Sequence, residues 1–309
     1  MRIVSLLPSA TEIVCALGAR EELVGRSHEC DFPPGVEAVP VLTSSRVGPL
    51  PSSRAIDTAV RDVLRDALAI YEIDVARLRQ AKPDLIVTQD LCEVCAVSID
   101  DVRAAVARLS KKDVAIVSLH PMHLADIWRD VADVAAAMGR AKAGEALVAT
   151  LRARVAEVAR RAADASRRPR VLTVEWMAPV MIGGMWMPEL VELAGGEALV
   201  TRAGERAPTL DRDGLAALDP EVVLVKPCGF GLERTLEEID VLREALPEGW
   251  RARVYAADGN AFFNRPGPRI VESLEILAAC LHPGTFPDFA AKHAASVRRV
   301  TGAGSPAPA

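Results

Sequence analysis

The chain has 309 residues, which is enough for two domains that each bury a core of their own. Half of the residues are hydrophobic, 26% are charged and 4% are aromatic, a composition typical of an α/β protein. The formal net charge of −5 provides no basic surface for nucleic acid, and no apolar run approaches the ~20 residues that a membrane-spanning helix needs. We therefore expect neither a nucleic-acid partner nor a membrane span.

The amino terminus leads directly from Met1-Arg2 into a predicted strand over 3–7. A secretory signal has a longer apolar region, followed by a cleavage site of small residues. Neither feature is present. We therefore expect a cytoplasmic protein, or a periplasmic one if the chain is a trimmed mature form.

The first half alternates strands and helices. Strands are predicted at 3–7, 23–27, 84–88 and 114–117, and helices at 9–17, 56–70, 75–80, 99–109 and 124–138. The pattern Ser9-x-x-Glu12 is that of a capping box, in which Ser9 caps the first helix. The segment 43–54 is rich in serine, proline and arginine and is predicted to be a loop.

The longest predicted helix covers 141–165, where apolar residues recur every three or four positions and arginines occupy the other face. At ~1.5 Å per residue, about 25 residues would reach roughly 37 Å. We favour a rigid helix that bridges two α/β lobes. A long surface helix of one large domain is the alternative.

The strand–helix alternation restarts after this helix. Strands are predicted at 170–174, 222–225 and 254–256, and helices at 188–193 and 268–281. Such alternation predicts a mostly parallel sheet in each half. We expect an α/β fold with an N-terminal lobe (1–140), a bridging helix (141–165), a C-terminal lobe (166–295) and a flexible tail (296–309).

Chemically distinctive side chains follow the predicted strands. Ligands of open α/β sheets bind outside the carboxyl ends of the strands. In the first half these ends carry His28, Cys30, Gln89, Cys92, Cys95 and His120, and in the second half Glu175, Trp176, Cys228, Phe230, Phe262, Phe263 and Arg265. If both sheets point these ends toward each other, the two sets line one cleft.

Four of the six cysteines lie at such strand ends or turns: Cys30, Cys92, Cys95 and Cys228. Four thiolates can close a tetrahedral zinc site or hold an iron–sulfur cluster. Free or redox-active thiols and inert structural cysteines are the open alternatives. Cys15 and Cys280 lie inside apolar helical patterns and are predicted to be small core residues.

Several segments along the chain carry a family resemblance: 3–12 (IVSLLPSATE), 30–34 (CDFPP), 82–87 (KPDLIV), 192–197 (ELAGGE) and 265–269 (RPGPR). With these segments the chain resembles class III substrate-binding proteins of ABC importers, close to the cobalamin-binding group. The resemblance implies two Rossmann-like lobes with mostly parallel sheets, joined by one long helix. It also implies a ligand held in the cleft between the lobes.

The resemblance also implies site residues and a partner. Phe262, Phe263 and Arg265 match the segment that contributes to the corrinoid pocket. Glu197 matches an acid that docks on the permease, whereas its counterpart on the first lobe falls near Ala76, with Glu72 close by. The aromatic residues could face a corrin or serve ordinary packing, and His28 could offer a nitrogen to cobalt or be a turn residue. The full predicted ligand-binding set is His28, Trp176, Trp186, Phe230, Phe262, Phe263 and Arg265.

Two functional hypotheses result. The first is a non-catalytic binding protein for cobalamin or a related corrinoid or metal chelate. The second is a cytoplasmic metalloprotein with a zinc or iron–sulfur centre on the four cysteines, with redox activity left open. An iron-siderophore or haem carrier is a third. No nucleophile elbow, P-loop, dinucleotide fingerprint or H-E-x-x-H motif is present, so we do not expect an enzyme.

Overall fold

The computed structural model describes residues 1–65, 70–90, 99–109, 113–247 and 250–300. The chain divides into two compact units. Unit 1 holds residues 1–51 and 55–151, and unit 2 holds residues 52–54 and the chain from Arg152 onward. Both units combine β-sheet with helices, which confirms the predicted α/β fold class. None of the helices in the described ranges is long and apolar enough to span a membrane.

Unit 1 is built on a parallel sheet with the order β2-β1-β5-β6. A separate antiparallel pair joins β3 to β4. In the described part of unit 1 the strands are β1 (Ile3–Ser5), β2 (Leu23–Arg26), β3 (Thr43–Ser45), β4 (Tyr71–Ile73), β5 (Leu85–Gln89) and β6 (Ala115–Leu119). All five residues of β5 are buried, as expected for a parallel strand that is covered on both faces.

Helices cover both faces of this sheet. The helices that do so are α1 (Pro8–Ala16), α3 (Val75–Ala81), α4 (Ile99–Ala107) and α5 (Leu124–Ala137), and α2 (Ser53–Arg65) lies between β3 and β4 in the chain. Ile3 and Val87 pack with α1 and α5, whereas their neighbours Val4 and Ile86 pack with α3 and α4. This alternation follows from the two-residue period of side chains along a strand.

Helix α6 (Ala141–Ala163) covers nearly the predicted range 141–165, and the division between the units falls inside it, after Leu151. Gly144 in its first turn is a packing requirement, because a Cβ atom there would lie 2.4 Å from the Cβ of Ala135 in α5. The rigid bridging role of this helix stays a prediction, as does a ligand cleft between the lobes.

Unit 2 is built on a sheet with the order β10-β8-β7-β11-β12-β13, in which β9 also pairs with β7. The strands are β7 (Arg170–Met177), β8 (Val180–Ile182), β9 (Glu197–Ala198), β10 (Thr209–Leu210), β11 (Val222–Val225), β12 (Arg253–Ala257) and β13 (Val297–Val300). The central strands β7, β11 and β12 are parallel, as expected. Strands β8 and β13 run antiparallel to their central neighbours β7 and β12, so this sheet is mixed.

The helices of unit 2 are α7 (Met187–Leu193), α8 (Arg212–Ala216), α9 (Leu232–Glu237), α10 (Ile239–Ala245), α11 (Ile270–Leu281) and α12 (Pro287–Lys292). Helix α11 is buried along almost its whole length and contains the carboxylate of Glu275. Arg154, Lys292 and His293 lie 2.7, 2.6 and 2.8 Å from its oxygens. Burial alone would raise the pKa of Glu275, but these hydrogen bonds lower it to about 2.

Three sequence expectations need correction. Ser9 does not cap α1, because the helix begins at Pro8 with Leu7 in the capping position, and proline suits the first helical turn. The predicted loop 43–54 contains β3, which becomes a strand only through its distant partner β4. The predicted flexible tail 296–309 begins too early, because Val297–Val300 forms the edge strand β13 and buries Val300. Residues 301–309 lie outside the described ranges.

Candidate functional site

Two aromatic rings meet at the carboxyl ends of β7 and β11 in unit 2. Trp176 lies near the end of β7, and Phe230 follows β11. Their ring centroids are 5.3 Å apart at an interplanar angle of 60°, an edge-to-face arrangement. The guanidinium of Arg234 lies 5.0 Å from the centroid of Phe230. Trp176 is half-buried, so part of the indole remains accessible at this end of the sheet.

A buried lysine supports this corner. Lys226 directly follows β11 and is 1% exposed. Its Nζ donates to Glu175 Oε2 at 3.0 Å and to Asn264 Oδ1 at 2.8 Å. Asn264 in turn donates to the carbonyls of Lys226 and Gly259. A buried ammonium must be paired, and Lys226 therefore holds Glu175 and Asn264 in place. Its own side chain is too buried to contact a ligand.

Phe262 and Arg265 lie beyond β12, at the same ends of the parallel strands. Phe262 is half-buried, with the guanidinium of Arg269 5.4 Å from its ring centroid. Arg265 is 6% exposed, and its Nη2 donates to Asn260 Oδ1 at 2.9 Å. The structure therefore brings Trp176 and Phe230 into contact at two adjacent strand ends, and Phe262 follows the next parallel strand, where its ring contacts Arg269 and His293.

Trp186 and Phe263 belong to the core. They are 5% and 0% exposed, and Trp186 Nε1 donates to the Phe263 carbonyl at 3.0 Å. The Phe263 backbone has a φ of 68° and its N–H donates to Ser273 Oγ. Because both side chains are buried, they have a structural role. They could contact a ligand, as predicted, only if they became exposed.

Unit 1 places His28 two residues beyond β2. The imidazole lies edge to face with Tyr71, with 5.0 Å between ring centroids, and Tyr71 Oη donates to Glu29 Oε1 at 2.5 Å. His28 Nδ1 and its backbone N–H both contact Thr43 Oγ1, at 2.8 and 3.0 Å. Tyr71 and Thr43 could not be predicted from the sequence as neighbours of His28, since they lie on two short strands that pair with each other.

At the other edge of the same sheet, Asp90 follows β5 and His120 follows β6. Asp90 Oδ1 lies 2.7 Å from His120 Nδ1, and both side chains are exposed. The neighbouring Asp130 of α5 is 7% exposed and accepts the backbone N–H of His120. Burial, together with the nearby Asp133 and Asp126, raises the pKa of Asp130 to about 7.

The predicted cysteine site is only partly visible. The Cys30 side chain is buried in unit 1, where Thr11 Oγ1 donates to Cys30 Sγ at 3.0 Å, whereas Cys228 in unit 2 is exposed. Cys92 and Cys95 lie outside the described residues. Within the described ranges, no three His, Cys, Asp or Glu side chains come together to hold a metal ion. A zinc or iron–sulfur centre on Cys30, Cys92, Cys95 and Cys228 therefore stays a prediction.

A cavity of about 390 Å³ lies at the amino ends of the unit 2 strands. Its lining includes Arg167, Asp219, Glu221 and Arg253. Arg167 pairs with Glu221, and Arg253 donates to the carbonyls of Cys280 and Leu281 at the end of α11. None of the predicted ligand-binding residues lines this cavity. Both of its carboxylates are already paired within the protein, Asp219 with Arg170 and Glu221 with Arg167, so the strand-end residues remain the better candidate site.

Comparison with known proteins decides the family. A family model described as periplasmic binding protein matches residues 3–248. The chain belongs to the periplasmic binding protein family. This membership confirms, at the level of the family, the resemblance to substrate-binding proteins of ABC importers. It gives no support to the expected cytoplasmic location.

Individual relatives are distant. The uncharacterized ABC transporter substrate-binding lipoprotein YvrC of Bacillus subtilis is 20% identical over 300 residues, covering 93% of this chain and 82% of YvrC. A periplasmic heme-binding protein from Pseudomonas aeruginosa superposes with a TM-score of 0.67 at 20% identity, covering 91% of this chain and 92% of the other. The vitamin B12-binding protein BtuF of Vibrio cholerae superposes with a TM-score of 0.63 at 17% identity, covering 91% and 96%. At these identities the two structures establish the fold and leave the ligand open.

Proposed function

We propose that this chain is a non-catalytic binding protein of an ABC importer, and that its ligand is a tetrapyrrole-type metal chelate, either cobalamin or haem. The observation that carries the proposal is the set Trp176, Phe230 and Phe262 at adjacent strand ends of unit 2. This chain has only six phenylalanines and four tryptophans, and three of these ten side chains lie at or after the carboxyl ends of the three adjacent parallel strands.

The chemistry of these rings suits a broad, planar ligand. A tetrapyrrole macrocycle has two apolar faces and a polar rim, and edge-to-face aromatic pairs offer apolar surface in a fixed orientation. Glu175, held by Lys226, offers an acceptor for amide donors of a corrin rim. Arg234 is about one-third exposed and already pairs with Glu238, so a carboxylate of a porphyrin rim would have to share its guanidinium. Both classes of chelate are therefore compatible with this surface.

Distant relatives support the same ligand class. The Pseudomonas aeruginosa protein binds heme and the Vibrio cholerae protein binds vitamin B12, and both share the fold of this chain. Family membership supports a permease as partner and a location outside the cytoplasmic membrane. Glu197, the predicted docking acid, is exposed and forms no ion pair within the described ranges. Glu72, the candidate on unit 1, already pairs with Arg46.

Retention of chelate through desalting tests the proposal. The protein is mixed with iron(III) protoporphyrin IX or with cyanocobalamin, desalted, and its absorption spectrum recorded. We expect the unmodified protein to retain one of the two and Trp176→Ala to lose most of it. Phe289→Leu is the matched control, because Phe289 stacks on Phe286 in α12 and lies outside the strand-end set. Equal retention by Trp176→Ala and Phe289→Leu would contradict the proposed site, and retention of neither chelate would contradict the ligand class.

A further inference from the structure

Strand β7 contains a β-bulge beside Trp176. Its register against β8 shifts between Val174 and Trp176, so that Glu175 is an extra residue of β7 relative to β8. A bulge interrupts the regular alternation of side chains along a strand and re-aims them, and bulges are over-represented next to active sites. Glu175 and Trp176 are both half-buried. The bulge therefore lies where a carboxylate directly precedes the partly exposed indole of the candidate site.

Only one oxygen of the Glu175 carboxylate is used within the described part of unit 2. Lys226 Nζ donates to Oε2 at 3.0 Å, whereas Oε1 makes no hydrogen bond in the described ranges. The Glu175 side chain is 23% exposed. Because an ionised carboxylate only accepts hydrogen bonds, Oε1 can bind a ligand group that donates one.

The hydrogen-bond donors beside Glu175 are already committed to the protein. Lys226 is 1% exposed and divides its Nζ between Glu175 and Asn264. Asn264 Nδ2 donates to the carbonyls of Lys226 and Gly259, at 2.9 and 2.8 Å. The backbone N–H of Cys228 donates to the Glu175 carbonyl at 3.1 Å. These residues therefore present an acceptor to a ligand and use their donors among themselves.

Three arginines near these strand ends are also engaged. Arg234 pairs with Glu238 at 2.6 Å, and Arg265 is 6% exposed. The guanidinium of Arg269 lies 5.4 Å from the centroid of the Phe262 ring. A ligand carboxylate would have to share or displace these contacts, whereas a ligand that donates a hydrogen bond requires no such exchange.

The two candidate chelates differ in the chemistry of their rims. The rim of cobalamin carries neutral amides whose N–H groups donate, whereas the ionised propionates of haem only accept. We propose that Glu175 is a specificity-determining residue whose Oε1 accepts a hydrogen bond from a rim amide of a bound corrinoid, with Lys226 as its positioning residue. The inference rests on the proposed function and narrows its ligand to a corrinoid. A site built to bind a hydrogen-bonding group rejects the analogue that lacks the group.

The test replaces one rim amide by a carboxylate on the same macrocycle. Equilibrium titration followed by absorbance compares cyanocobalamin with its monocarboxylic acid derivatives, in each of which a single side-chain amide is hydrolysed. We expect the unmodified protein to bind at least one of these derivatives roughly 30-fold more weakly than cyanocobalamin. In Glu175→Gln, whose amide can donate to a carboxylate, the difference for that derivative should shrink to about threefold.

Glu192→Gln is the matched control. Glu192 is an exposed carboxylate of α7, and the next strand, β9, pairs its Glu197 with Arg170, at the opposite end of β7 from Glu175. This variant should discriminate as the unmodified protein does. Circular dichroism verifies that Glu175→Gln remains folded. The comparison on the unmodified protein needs no variant, and equal affinity for cyanocobalamin and every derivative overturns the inference by itself.

The outcomes separate this inference from the proposed function. If the unmodified protein binds cyanocobalamin and Glu175→Gln discriminates against the derivative as strongly as the unmodified protein does, the role of Glu175 is wrong while tetrapyrrole binding stands. Retention of iron(III) protoporphyrin IX but not of cyanocobalamin overturns this inference alone, and retention of neither overturns both proposals.

Discussion

The indole of Trp176 and the ring of Phe230 lie edge to face at the carboxyl ends of neighbouring parallel strands, with ring centroids 5.3 Å apart. Trp176 is half-buried and packs against Phe230, which is 6% exposed. The buried ring of Phe230 therefore restricts the orientation of the partly exposed indole. Aromatic surface that is held in this way stabilises a bound planar ligand without loss of side-chain freedom on binding.

The first prediction concerns this pair. Replacing Trp176 by alanine removes apolar contact from the ligand, and the affinity for the retained chelate should fall about 30-fold, or ~2 kcal/mol. Phe230→Leu should have a smaller effect of the same sign, because Phe230 acts mainly by supporting Trp176. Equilibrium titration followed by absorbance measures both. An unchanged affinity for Trp176→Ala would exclude this end of the unit 2 sheet as the binding surface.

The second prediction concerns Gly259. A Cβ atom at this position would lie 2.1 Å from the Pro227 carbonyl oxygen and 2.6 Å from the carbonyl carbon of Lys226. Gly259→Ala should therefore displace the backbone at Lys226 and Pro227. We expect it to lower the free energy of unfolding by about 3 kcal/mol and to abolish chelate binding. Gly231→Ala is the control, because a Cβ atom there meets nothing within 4 Å. Urea unfolding of both variants tests the difference, and equal stability would contradict the close packing of this corner.

The third prediction concerns Glu275. Glu275→Gln leaves Arg154, Lys292 and His293 without their shared carboxylate and should lower the free energy of unfolding at pH 7 by about 3 kcal/mol. The folded-state pKa of about 2 lies below the ordinary value of 4.5. Its stabilising contribution is therefore present above pH 4.5 and is lost as the pH falls toward 2.

Urea unfolding at pH 7 and pH 3 measures this effect. The difference between the unmodified protein and Glu275→Gln should shrink at the lower pH. Glu157→Gln is the control, since Glu157 is an exposed carboxylate of α6 whose ion pair in the described ranges is with its helix neighbour Arg160. If Glu275→Gln were as stable as Glu157→Gln at pH 7, the stabilising role of the Glu275 carboxylate would be contradicted.

The fourth prediction concerns Asp130, whose pKa is shifted in the opposite direction. A folded-state pKa of about 7, above the ordinary 3.8, means that the fold favours the protonated carboxyl. Its contribution to stability is present below pH 3.8 and is lost as the pH rises through 7, at a cost of up to about 4 kcal/mol. Asp130→Asn should therefore be less sensitive to pH between 5 and 8 than the unmodified protein.

Thermal or urea unfolding at pH 5 and pH 8 provides the measurement. Glu145→Gln, at an exposed position of α6 that does not contribute to the raised pKa of Asp130, should leave the pH dependence unchanged. If Asp130→Asn loses as much stability between pH 5 and pH 8 as the unmodified protein does, the raised pKa of Asp130 is wrong.

The central strands could be predicted from the sequence because strands that are buried on both faces are continuous apolar runs. The run 222–225 (VVLV) is apolar throughout and begins two residues after Pro220, and β11 has the same bounds. The edge strands escaped prediction for the opposite reason. Strand β13 has the sequence VRRV, with exposed arginines in its middle, and only its register with β12 makes it a strand.

Some residues of the candidate site could likewise be predicted from the sequence, and others could not. Trp176 and Phe230 could be predicted, since each lies at or just beyond the end of a recognisable buried strand. The burial of Trp186 and Phe263 could not, because it depends on a bond between a side chain and a backbone carbonyl 77 residues apart in the chain. Tyr71 was missed because its position beside His28 arises from the pairing of β3 with β4.

Calorimetric titration of the unmodified protein with iron(III) protoporphyrin IX and with cyanocobalamin tests the central claim most directly. We predict saturable binding of at least one chelate with a Kd below about 1 μM and a negative heat-capacity change, as expected when apolar surface is buried. Absence of saturable binding for both chelates would contradict the proposed function and would leave the periplasmic binding protein fold of this chain with a ligand of another class.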